Sequence, residues 1–220
     1  MPSTSQTDSL GISRRALLAS ISTGVVGSLA GCSGRLPGTD PVRLDTEKTV
    51  ATDDDPVLLW RYPSREDEEE GIGYAAVELT RIRRDNSHPS ALDLTFNSTV
   101  GGIASSEPYR GYRADWFRFR IWPPTTYEGR LDHRVRVEPP GQWHGFSLYY
   151  DIRGTIRHTV IELRDVDTQG TIIIPAVFDP SMNGLPDHLH CAFTVRASRP
   201  GLLGRSIRVS DTGKLPLKEA

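Results

Sequence analysis

Short apolar stretches separated by turn residues dominate the chain from residue 42 onward. They are rich in Val, Ile, Thr and aromatic residues, and clusters of Gly, Pro and Asp separate them. This spacing is typical of short β-strands, and no segment of this region shows a helical period. The candidate strands are 42–52, 57–62, 73–83, 91–96, 115–122, 134–138, 143–150, 155–163, 171–178, 188–196 and 206–211. The pattern predicts an all-β fold, a β-sandwich of immunoglobulin-like architecture with about ten short strands, and a barrel as the second choice.

Length and charge narrow the class of protein further. Residues 42–220 are enough for one domain with a sizeable core, and they are short for two. The formal net charge of the whole chain is −2. A near-neutral balance excludes a strongly basic nucleic-acid binder, so we expect no nucleic-acid partner.

A short apolar run precedes this domain. Arg14 and Arg15 are followed by an uncharged run over residues 16–30 and then by Cys32. As a helix this run would extend about 22 Å, whereas the hydrocarbon core of a membrane is about 30 Å thick. A cationic start, an apolar middle and small residues at the end are the parts of a secretory signal. We therefore predict that residues 1–31 are a cleaved signal peptide rather than a membrane span.

Two motifs in this leader resemble those of a known class. The segment S-R-R-A-L-L at 13–18 resembles the twin-arginine export motif, and L-A-G-C at 29–32 resembles a lipobox. The joint appearance of the two motifs, in a chain with very few lysines, is similar to secreted lipoproteins of halophilic archaea. The resemblance implies a lipid on Cys32 and a location at the extracytoplasmic face of the cell membrane. The Gly and Pro residues that follow Cys32 predict a flexible tether over residues 32–41.

The segment 187–191 contains the first candidate site. On a strand, His188 and His190 share one face, while Cys191 lies on the opposite, apolar face and is predicted to be buried. A His-x-His pair chelates copper or zinc when further ligands join it. The candidate further ligands are Asp187, His133, His144, His158 and Met182. The alternative interpretation is two exposed strand histidines without a metal.

A Trp/Arg pattern is the second candidate site. If Phe117, Phe119 and Ile121 face the core, the opposite face carries Trp116, Arg118, Arg120 and Trp122. The next candidate strand places Arg134 and Arg136 outward by the same alternation. If the two strands pair as a hairpin, four arginines flanked by two tryptophans form one surface suited to sugars, lipid headgroups or anionic polymers. The alternative is a solvated face whose arginines pair with acids.

Two further segments indicate surface features. Asn97-Ser98-Thr99 is a glycosylation sequon, predicted to lie in a loop outside the cell. The acidic run at 65–70 is interpreted as a solvated loop because its contiguous carboxylates lack the spacing of a calcium loop.

The sequence contains no recognisable catalytic signature. We therefore expect a non-enzymatic, surface-tethered lipoprotein that acts in binding, adhesion or envelope organisation. Its expected partners are the membrane, through the lipid, and an envelope polymer or a surface protein. The alternative is a metal-handling lipoprotein that binds copper or zinc at the His-x-His pair, with no other cofactor expected. The sequence does not indicate an oligomeric state.

Overall fold

The computed structural model describes residues 40–52, 55–62, 72–85, 88–101, 110–137, 145–180, 184–200 and 205–217. The predictions for the signal peptide at 1–31, Cys32 and the acidic run at 65–70 lie outside these residues, as do His144 and Met182. Contacts along the chain group Thr39–Ala220 into one compact unit. Among the described residues, no helix is long and apolar enough to cross a membrane.

The described residues form strands and turns. The strands in chain order are β1 (Val42–Leu44), β2 (Glu47–Ala51), β3 (Val57–Tyr62), β4 (Gly73–Asp85), β5 (His88–Val100), β6 (Arg113–Trp122), β7 (Arg134–Val137), β8 (Phe146–Arg153), β9 (Ile156–Thr168), β10 (Gly170–Asp179), β11 (His188–Ser198) and β12 (Ser206–Pro216). Each of the eleven candidate strands overlaps at least one of these strands, although β5, β9 and β12 extend several residues beyond the predicted bounds.

The strands assemble into two six-stranded sheets. Sheet A has the order β1-β12-β11-β6-β9-β8, and sheet B has the order β2-β3-β4-β5-β10-β7. The sheets pack together and do not close into a barrel. The prediction of an all-β sandwich is confirmed.

The core lies between the two sheets and is built by alternation along each strand. Phe119 and Phe193 of sheet A meet aromatic residues of sheet B. The ring centroids of Trp60 and Phe193 are 4.9 Å apart, and those of Phe96 and Phe119 are 5.2 Å apart. Such tilted aromatic pairs bury large apolar areas and fix how the sheets pack. Cys191 is fully buried in this core, as predicted, and burial raises the pKa of its thiol.

The first candidate strand, 42–52, divides between the sheets. β1 pairs in parallel with β12 in sheet A, whereas β2 pairs in an antiparallel direction with β3 in sheet B. At the break, the Thr46 hydroxyl donates a hydrogen bond of 2.7 Å to Asp211. The chain therefore crosses from one sheet to the other at residues 45 and 46.

The expectation that Asn97 lies in a loop is wrong. β5 continues to Val100 because residues 97–99 pair with both β4 and β10. The Asn97 side chain is only 9% exposed, and its amide donates a hydrogen bond of 2.8 Å to Glu78. Glycosylation at Asn97 stays a prediction, and in this fold it requires access to an amide held inside a central strand.

Candidate functional site

The outward side of β6 carries the predicted Trp/Arg pattern. Phe117, Phe119 and Ile121 are buried in the core, as the alternation predicts. The four residues between and beside them are half-buried and point away from the core: Trp116, Arg118, Arg120 and Trp122. Each of these four residues is aligned with residues of the neighbouring strands, which together form a row across the sheet. We call the surface made of these four rows the outer face of sheet A.

The expected hairpin between β6 and the strand of Arg134 and Arg136 is wrong. β6 pairs with β11 and β9, whereas β7 pairs with β10 in sheet B. Turns over residues 125–132 carry the chain from one sheet to the other. Arg134 and Arg136 therefore lie on a different sheet from the tryptophans, and Arg136 forms an ion pair of 2.8 Å with Asp179. The predicted surface of four arginines between two tryptophans does not form.

Strand register assembles a different set of charges on the outer face of sheet A. Its basic residues are Arg43, Arg118, Arg120, Arg164, Arg196, Arg208 and Lys214. Its acidic residues are Asp151 and Glu162. Seven basic side chains against two acidic ones make this face strongly cationic, although the chain as a whole carries a net charge of −2. Such a segregated face attracts anionic partners.

Glu162 organises the arginines at one end of this face. Its side chain is 2% exposed and accepts hydrogen bonds of 2.8 and 3.0 Å from Arg118 and one of 3.0 Å from Tyr149. Arg164 pairs with its other oxygen. Burial opposes the charged form, but these hydrogen bonds outweigh burial and lower the pKa of Glu162 to about 2. The carboxylate is therefore ionised at neutral pH and holds two guanidinium groups in place.

Arg120 lies two residues after Arg118 on β6 and contacts a tryptophan ring instead of a carboxylate. Its guanidinium carbon lies 4.8 Å from the ring centre of Trp122, and its Nε is buried with no hydrogen-bond partner among the described residues. Its cross-strand neighbours, Ala192 and Val160, carry small apolar side chains. Partial burial lowers the pKa of Arg120, and nearby Arg153 adds to this effect. Asp151 lies close enough to oppose this shift, but no described acidic residue forms an ion pair with Arg120.

A row of aromatic rings borders Arg120. Trp122 stacks on His190 with centroids 5.4 Å apart and planes 9° apart, and on His158 with centroids 4.7 Å apart and planes 28° apart. His190 lies on β11 and His158 on β9, the two strands that pair with β6. The Trp122 ring therefore already has stacking partners on both neighbouring strands, which leaves less of it free for a sugar.

His188 and His190 lie at one end of this row, half-buried on the same face, as predicted. Their Nε2 atoms are 3.2 Å apart. Burial, together with the charge of Lys214, lowers the pKa of each imidazole, and His188 contributes further to the shift at His190. Within the described part of the chain, no group of three or more His, Cys, Asp and Glu side chains is arranged to hold a metal ion.

The histidines considered as further metal ligands lie elsewhere. His158 approaches Trp122 from β9, whereas His190 approaches it from β11. His133 is fully buried against Phe178, with ring centroids 5.2 Å apart, and burial lowers its pKa to about 4. Neither of these two histidines joins the pair, whereas Asp187, which directly precedes β11, is close enough for its charge to act on the His188 imidazole.

Sequence reasoning missed most of the charged residues of this face. Arg43, Arg164, Arg196, Arg208 and Lys214 come from four strands, and only the register of those strands reveals that they are neighbours. Glu162 was detectable, because a single carboxylate stands between Ile161 and Leu163 in an apolar strand. A charge at such a position indicates a buried partner.

Comparisons with known proteins give no family. No family model matches the sequence, and no curated protein matches it. Among solved structures, AvmM, which catalyses macrocyclization in alchivemycin A biosynthesis, matches with a TM-score of 0.33 at 9% identity, covering 64% of this chain and 96% of its own. The collagen-binding domain of a Staphylococcus aureus adhesin matches with a TM-score of 0.29 at 8% identity, covering 56% and 87%. The yeast GGA1 GAE domain matches with a TM-score of 0.23 at 12% identity, covering 78% and 100%. Because each TM-score is below 0.5, these similarities assign no activity or ligand to the chain.

Proposed function

We propose that the protein is a lipid-anchored binding lipoprotein of the extracytoplasmic membrane face, whose outer face of sheet A holds an anionic envelope polymer. The S-R-R-A-L-L and L-A-G-C motifs support the export and the anchor. The cationic outer face of sheet A supports the binding of an anionic polymer. The role is binding rather than catalysis, in keeping with a sequence that contains no catalytic signature.

Arg120 carries the proposal. Arg118 and Arg164 on the same face are already occupied by Glu162, whereas Arg120 forms no ion pair among the described residues and only senses the charge of Asp151 nearby. Trp122 holds the Arg120 guanidinium, which reduces the conformational freedom that binding would cost. A guanidinium presents donors that match carboxylate and sulfate oxygens. Exposed Arg196 and Arg208 extend the cationic surface beyond this point.

Repeating anionic groups suit this arrangement. The basic residues spread over five adjacent strands of sheet A, from Arg43 on β1 to Arg164 on β9. Neighbouring strands are about 4.8 Å apart, so the cations cover a width of roughly 20 Å. A polymer with a charge on each repeat contacts several of these cations at once, whereas a small anion contacts one or two.

The experiment that tests this function measures binding of the full-length protein to polygalacturonate, to dextran sulfate and to uncharged dextran. We expect binding to the charged polymers alone, weakened about tenfold by Arg120→Gln because a charge-assisted hydrogen bond is lost. Arg134→Gln is the matched control, since Arg134 is an exposed arginine on sheet B. Equal weakening by both variants, or equal binding to uncharged dextran, would contradict the proposal.

The anchor has a separate test. Cys32→Ser removes the sulfur to which the lipid attaches, so we expect the protein to move from the membrane fraction to the medium while polymer binding is retained. Mass measurement of the unaltered protein from membranes should show a mature N-terminus at Cys32 carrying lipid. A membrane-bound Cys32→Ser protein would refute the lipid anchor without affecting the binding claim.

A further inference from the structure

The spacing of two ring nitrogens on the outer face of sheet A matches that of metal ligands. The Nε2 atoms of His188 and His190 are 3.2 Å apart and share a hydrogen bond, which a bound metal would replace. Two nitrogen ligands bound to a tetrahedral zinc ion, each about 2.05 Å from the metal, lie about 3.3 Å apart. We propose that His188 and His190 form an open two-histidine site for a transition-metal dication of the zinc class, a proposal that does not require the polymer binding proposed at Arg120.

Neighbouring rings restrict the positions of the two imidazoles. The His190 ring lies 9° from parallel to Trp122, with centroids 5.4 Å apart. The His188 ring meets His190 edge to face, with centroids 4.8 Å apart. Rings that neighbours hold in place lose little side-chain freedom when a metal binds. A ligand pair on one strand is also positioned by the strand itself, since residues i and i+2 share a face.

The charges around the two histidines affect how tightly they would bind a metal ion. Burial and Lys214 favour the neutral imidazoles, which are the forms that bind metal, and Asp187 partly opposes this effect at His188. Lys214 is the register partner of His190, and Pro216 is that of His188. The ammonium of Lys214 repels a dication, so Lys214→Gln should strengthen metal binding.

The site leaves coordination positions open. A tetrahedral ion bound by two imidazoles has two further positions, and the described residues provide no group of three ligands. Water or an oxygen ligand from solution fills those positions. The pair therefore binds metal reversibly, unlike a closed structural zinc site.

The test uses tag-free, full-length protein and the metals alone. Cu²⁺ is the optical probe, because it binds nitrogen sites more tightly than Zn²⁺ and quenches a nearby indole. We expect one Cu²⁺ per chain to quench Trp122, and Zn²⁺ to reverse the quenching by competition. Calorimetry with Zn²⁺ should give the same stoichiometry without relying on fluorescence.

Four variants make the test decisive. His188→Ala and His190→Ala should each weaken Zn²⁺ binding at least about tenfold, because one of two ligands is lost. His158→Ala is the matched control, since His158 also stacks on Trp122 but lies outside the pair, and it should bind normally. Lys214→Gln should bind more tightly. Normal binding by His188→Ala, equal loss in His158→Ala, or weaker binding by Lys214→Gln would each overturn the proposal.

Discussion

At the scale of single residues, one buried carboxylate accounts for much of the geometry of the outer face. Glu162 is 2% exposed and holds Arg118, Arg164 and Tyr149 in a single network. Arg118 in turn lies 4.7 Å from the ring centre of Trp116. Removing the carboxylate would remove the shared acceptor of Arg118, Arg164 and Tyr149, and hydrogen bonds to a charged acceptor are among the stronger ones, although both guanidinium groups keep access to water.

Glu162→Gln should therefore lower the free energy of unfolding by about 2 kcal/mol at pH 7. The folded pKa of Glu162, about 2, lies below its ordinary value of 4.5. Its contribution is therefore complete above about pH 4.5 and is lost as the pH falls towards 2. Urea unfolding at a series of pH values should show this acid-dependent loss in the unaltered protein and a smaller one in the variant.

The control for this prediction is Asp151→Asn. Asp151 pairs with Arg153 on the same sheet, but both side chains are well exposed, so its loss should leave stability nearly unchanged. If both variants are equally stable, Glu162 does not have the organising role assigned to it.

Residue-level prediction from sequence succeeded where alternation alone decides the outcome. It placed Phe117, Phe119 and Cys191 in the core and Arg118 and Arg120 outside it. It could not identify Glu162 as the partner of Arg118, because the two residues are 44 positions apart and only the β6–β9 register brings them together.

At the scale of elements, strand existence was predictable and strand partners were not. Gly, Pro and Asp clusters mark where strands end, so all the candidate strands occur. Partner choice depends on which edges remain available in the folded chain. β7 follows β6 in sequence but joins β10, and the single candidate strand at 42–52 serves both sheets. The first error follows from assuming that neighbours in sequence pair in space, and the second from predicting one continuous strand over a stretch that divides in two.

Close backbone packing at one strand end gives a prediction about the element itself. A Cβ placed on Gly73, at the start of β4, would lie 1.8 Å from the Thr99 carbonyl oxygen of the adjacent β5. The strands would have to separate to admit it. Gly73→Ala should therefore lower the unfolding free energy by about 3 kcal/mol, measured by urea denaturation.

Gly154 is the comparison for that prediction. It lies in the β8–β9 turn at φ +61°, and a Cβ there would meet nothing within 4 Å. Gly154→Ala should cost about 1 kcal/mol, from the left-handed backbone alone. A larger loss for Gly154→Ala than for Gly73→Ala would show that contact with β5 is not what requires a glycine at position 73.

At the scale of the whole molecule, charge is segregated rather than balanced. The net charge of −2 describes the average of the chain and conceals a face with seven basic and two acidic residues. Composition excluded a uniformly basic protein correctly but could not reveal a cationic side, since that side is assembled from five strands. The proposed function depends on this cationic face.

The most direct test of the central claim compares the two sheets at equal net charge. One variant combines Arg196→Glu with Arg208→Glu on the outer face of sheet A, and the other combines Arg81→Glu with Arg134→Glu on sheet B. All four arginines are exposed, and both variants change the net charge by the same amount. The dissociation constant for an anionic polysaccharide, measured at fixed ionic strength, should rise at least about tenfold for the first variant and stay nearly unchanged for the second. Equal weakening by both variants would show that overall charge, rather than the outer face of sheet A, governs binding.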